Sequence, residues 1–141
     1  MELRIEQWPP KKVKRFGEVA EALVHLTDEG DGYLVLDAPG AFLQIGRWKG
    51  TYIVEWRQEG DEQGNRPLAR AGRRGSWGKI VARGKFGLFR TYDSEQLRLG
   101  EAFEILCAFY HGPVRPAKFR WRGLSADLKR YSALKEAGKV K

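Results

Sequence analysis

Thr51-Tyr52-Ile53-Val54-Glu55-Trp56-Arg57-Gln58 alternates without a break, with Tyr52, Val54 and Trp56 on one side and Thr51, Ile53, Glu55 and Arg57 on the other. A period of two is that of a β-strand with one buried face. Just upstream, Tyr33–Asp37 and Phe42–Arg47 are also rich in strand formers, and Pro39-Gly40 and Lys49-Gly50 separate the three runs. Such connections are too short to carry crossover helices, so the strands form an antiparallel meander.

Working outward, Leu3–Trp8 alternates apolar and polar residues until Pro9-Pro10 stops it, which predicts a short edge strand. Phe16, Val19/Ala20, Leu23/Val24 and Leu26 recur at helical spacing and predict a first helix over 15–28. Downstream, Glu59–Arg74 is polar, rich in Gly and Arg and aperiodic, and reads as a long loop. Trp77–Ala82 and Phe86–Thr91 read as further strands divided by Arg83-Gly84. Asp93 or Ser94, with Gln96 following, has the form of a helix cap. The stripe Leu99, Ala102/Phe103, Leu106 and Phe109/Tyr110 belongs to that helix, and Gly112-Pro113 ends it. Lys118–Arg122 is a short last strand with Phe119 and Trp121 facing one way. Ser125–Ala137 is a last amphipathic helix, with Leu124, Leu128, Tyr131 and Leu134 on one side.

Grouped strands with helices at the ends predict an α+β fold: an antiparallel sheet of about five to six strands flanked by N-terminal, middle and C-terminal helices. The 141 residues suit a single domain spanning 1–141. A charged fraction of 31 % beside a hydrophobic fraction of 42 % excludes a disordered chain. No apolar run approaches the ~20 residues of a membrane-spanning helix, and Glu2, Arg4 and Glu6 interrupt the N-terminus where a signal peptide would be apolar. A lone Cys107 forms no internal disulfide, and these features together fit a cytoplasmic protein without a membrane partner.

Chemistry finds few footholds. Cys107 and His111 share a helix face at i, i+4 spacing, the geometry of a thiolate–imidazole pair, but a core cysteine and a histidine at a helix C-terminus is the favoured reading. One cysteine and two histidines make no standard zinc set. Gly78-Lys79 is followed by Ile80, so it is no phosphate loop. The expectation is a protein that is not an enzyme and needs no metal or cofactor.

Charge is more informative. The net charge is +8, and the whole excess lies between Arg66 and Arg90, where eight basic residues meet no acid. Arg66, Arg70, Arg73 and Arg74 fall on the expected loop; Trp77, Lys79 and Arg90 follow on the expected strands, with Arg83 and Lys85 between them. Guanidinium groups pair with carboxylates and phosphates, and aromatic faces accept bases, so this segment is the candidate contact surface for an acidic protein or, alternatively, for nucleic acid. Gly72-Arg73-Arg74-Gly75 also has the form of the backbone-clamping loop of KH domains, though strand-like segments flank it. Trp48, beside a glycine turn, is a further exposed anchor, whereas Trp56 belongs to the core.

From Phe42 the order of features resembles small immunity proteins of bacterial polymorphic-toxin systems. A Phe42-Leu43-Gln44-Ile45 strand leads through a glycine turn to Tyr52–Arg57. Glu101-Ala102-Phe103 and Ala108-Phe109-Tyr110 follow on a helix, and then Phe119-Arg120-Trp121. The likeness covers about two-thirds of the chain. It implies a non-catalytic protein that neutralises a toxin by binding its active domain, with no catalytic residues to carry over. Such proteins are commonly acidic when the toxin is a nuclease; this chain is basic, so the resemblance implies a toxin domain with an acidic surface.

Overall fold

A computed structural model describes residues 1–6, 8–30, 32–59, 67–83, 89–112 and 114–138. The strands β1 (Glu2–Ile5), β2 (Lys11–Lys12), β3 (Tyr33–Ala38), β4 (Ala41–Trp48), β5 (Thr51–Gln58), β6 (Leu68–Arg73) and β9 (Phe119–Gly123) form one antiparallel sheet in the order β2-β1-β3-β4-β5-β6-β9. A second ribbon pairs β7 (Ile80–Ala82) with β8 (Thr91–Tyr92). The helices are α1 (Phe16–Val24), α2 (Leu99–His111) and α3 (Ser125–Glu136), and a 3-10 turn spans Asp93–Glu95. This is the α+β class that the grouping of strands and helices predicts.

Register explains the buried face. Leu36 lies opposite Leu43, Leu43 opposite Trp56, and Ile45 opposite Val54. These side chains meet Val19 and Leu23 of α1 and Ala102, Ile105, Leu106 and Phe109 of α2 in one core. Trp56 is fully buried, edge-on to Phe109 at 4.9 Å and to Trp121 at 5.6 Å between ring centroids. Such contacts add about 0.5–1.5 kcal/mol each beyond burial. Phe119 and Trp121 both face this core, as the alternation of the last strand predicts.

Several boundaries differ from the sequence reading, each for a physical reason. The expected loop over Glu59–Arg74 contains β6. Its inward residues are Ala69 and Ala71, small enough to lie beneath Trp56 and Trp121, so its period-two pattern carries no large apolar side chain. β1 is not an edge strand: it lies between β2 and β3, because the chain turns after Trp8 and adds Lys11–Lys12 outside it. The first helix is shorter than 15–28, ending at Val24. Trp77–Ala82 is a strand only from Ile80, and of Phe86–Thr91 the described part is extended only at Thr91, since Phe89 takes a left-handed φ of 54°. Asp93 opens the 3-10 turn rather than a helix; α2 begins at Leu99, where the Glu101 carboxylate accepts the Arg98 N–H at 2.9 Å. α3 has the expected span but buries none of its residues, and Leu128 stays exposed. Cys107 is half-buried rather than in the core. Among the described residues no helix is long and apolar enough to cross a membrane.

Candidate functional site

The basic segment divides between the two faces of β6. Arg70 points to the side away from α2, where its Nη2 donates to Glu55 Oε2 at 2.8 Å and its Nη1 to Thr91 Oγ1 at 3.0 Å. Arg73 points to the helix side and makes a two-pronged pair with Glu101, Nε to Oε2 at 3.0 Å and Nη2 to Oε1 at 2.9 Å. Bidentate pairs of this kind fix geometry as well as charge. Arg74 is exposed but donates from Nε to the Ala117 carbonyl at 2.7 Å. Three of the four arginines expected on that loop, Arg70, Arg73 and Arg74, thus have separate intramolecular partners, and Gly72-Arg73-Arg74-Gly75 joins no helices. Arg66 and Lys85 lie outside the described residues.

Glu101 feels opposing influences. Partial burial pushes its carboxyl up, but the bonds from Arg73 and from the Arg98 N–H, with the charge of both arginines, outweigh this and hold it below the usual carboxylate range.

On the far side of β6 and β9 a denser cluster forms, for which sequence reasoning gave no sign. Glu95, delivered by the 3-10 turn, is fully buried. It accepts Arg122 Nε at 2.8 Å and Nη2 at 3.0 Å and the Tyr92 N–H at 3.0 Å, while Arg70 Nη1 lies at 4.0 Å. Arg120 donates to Ser94 Oγ at 2.7 Å, and its guanidinium lies 4.5 Å from the centre of the Trp77 ring. Among the described residues its buried Nε and Nη1 meet no hydrogen-bond partner. Burial lowers the pKa of Arg120, Glu95 partly opposing it. The spacing of Arg120 and Arg122 in an alternating strand could have signalled a shared face; their carboxylate lies 25 to 27 positions away on a turn that reads as a helix cap.

This cluster supports the ring of Trp77, which is 43 % exposed and stands edge-on to Tyr92 at 4.8 Å. Gly78, at φ 75°, makes the turn beside it; a Cβ there would come within 2.8 Å of Asp93 Cβ. Lys79, Arg83 and Arg90 are exposed near the same ribbon. Trp48 lies elsewhere, at the β4–β5 turn, half-buried rather than fully exposed, with Lys49 Nζ 4.8 Å from its ring centre.

On α2, Cys107 and His111 line a shallow apolar groove with Phe103, and the His111 ring packs on Phe16 at 5.3 Å. His25 caps α1, its Nδ1 2.8 Å from the Glu21 carbonyl. Among the described residues no group of three or more His, Cys, Asp or Glu side chains is placed to hold a metal ion. Comparison with protein-family models, curated proteins and solved structures returns no match.

Proposed function

We propose that the chain is a non-catalytic binding protein of the toxin-neutralising, immunity type, whose partner is a protein with an acidic surface. One observation carries this reading: an exposed indole, Trp77, packs on the Arg120 guanidinium at 4.5 Å, and Lys79, Arg83 and Arg90 are exposed in the same segment of chain. Tryptophan and arginine dominate the energetics of protein interfaces, and a pre-ordered anchor loses little entropy on binding. The internal pairing of Arg70 and Arg73 narrows the surface to this ribbon and favours a partner whose acids meet its rim. The resemblance in element order from Phe42 onward supplies the immunity assignment.

The test is affinity capture from a nuclease-treated lysate of the native source, followed by reconstitution with the purified captured protein. The expected result is a one-to-one complex that suppresses the partner's toxic activity. Capture that disappears on nuclease treatment would replace this reading with nucleic-acid binding.

A further inference from the structure

Beside the Trp77–Tyr92 pair lies a cleft of about 250 Å³, lined by Trp77, Arg90, Tyr92, Arg122, Asp127 and Arg130 together with Gly123. Its three guanidinium groups come from separate elements: the loop before β8, β9 and α3. We propose that this cleft is a binding site for a phosphate group, a site that goes beyond the protein-binding reading and does not depend on it.

Charge is the first argument. Among the described residues, Arg70, Arg120 and Arg122 share two carboxylates, Glu55 and Glu95, which leaves the cluster one positive charge in excess. Arg130 is exposed and makes no ion pair among the described residues. Asp127 on the cleft wall offsets one of these charges, and the lining stays positive towards an anion such as phosphate. Geometry is the second. Arg122 is fixed by Glu95 and by the Arg90 carbonyl at 2.7 Å, and its guanidinium packs 5.2 Å from the Tyr92 ring centre, so it needs no reordering to receive a ligand. The cleft also opens on the first turn of α3, whose Leu124 cap offers no side-chain bond to the turn's N–H groups. The one opposing charge is Asp127, whose Oδ2 accepts the Phe89 N–H at 3.2 Å.

The phosphate could be carried by a free nucleotide or by the backbone of a single-stranded nucleic acid; Trp77, on the cleft wall, offers a base a face in either case. Amide chemical shifts of the full chain would be followed while inorganic phosphate, a mononucleotide and an oligothymidylate are each added at constant ionic strength. The expected result is saturable shifts confined to the neighbourhood of Tyr92, Gly123 and Asp127. Arg130→Glu should weaken phosphate at least about fivefold and Asp127→Asn should strengthen it, both following from one charge beside the ligand. Equal affinity for mononucleotide and oligothymidylate would identify a free nucleotide as the source; tighter oligothymidylate binding with a steep salt dependence would identify nucleic acid. Shifts that do not saturate, that scatter over the surface, or that persist unchanged in Arg130→Glu would overturn the site.

Discussion

At the scale of single residues, Glu95 holds the most. It is a fully buried carboxylate on which Arg122 is anchored and near which Arg70 and Arg120 are gathered. Removing one partner from a buried ion pair leaves the other charge stranded and costs about 3–5 kcal/mol. Glu95→Gln keeps the shape and should lower stability by that order in denaturant titrations; a loss below about 1 kcal/mol would mean that solvent already screens the cluster. Gly78→Ala is a second test. It forces a side chain into a left-handed conformation against Asp93, and should cost about 1–3 kcal/mol while shifting the Trp77 ring resonances.

At the scale of elements, β6 shows how a strand escapes a sequence reading. Ala69 and Ala71 are buried because Trp56 and Trp121 fill the volume that larger residues would occupy. Alternation is visible only when one side of it is large, which is why Thr51–Gln58 was legible end to end and Leu68–Arg73 was not. Ala71→Leu should therefore overpack the site and cost about 1–3 kcal/mol, read as a drop in Tm. The junction of β6 with α2 makes a pH prediction. Glu101 is held below its usual range by Arg73 and Arg98 despite burial, so its contribution is fully present above the unfolded carboxyl pKa of about 4.3 and is lost as pH falls through the lower folded value. Acid unfolding should become less steep in Glu101→Gln, and a slope identical to that of the parent would contradict the pairing.

At the scale of the molecule, the fold class and the meander follow from the sequence because short turns between alternating strands leave few other arrangements. The candidate surface was legible only in part. The excess charge between Arg66 and Arg90 is real, but sequence cannot say which arginines face a carboxylate brought from elsewhere: Glu55, Glu95 and Glu101 come from a strand, a turn and a helix. Trp77, Lys79, Arg83 and Arg90 remain outward, while Arg120 and Arg122, distant in sequence, complete the cluster behind them.

The most direct measurement is the affinity of the purified protein partner for the parent chain and for Trp77→Ala. An indole at the centre of the contact predicts a loss of about 2 kcal/mol or more, roughly thirtyfold in Kd, with the fold intact by circular dichroism. An unchanged Kd would contradict the assignment of this surface as the place where the partner binds.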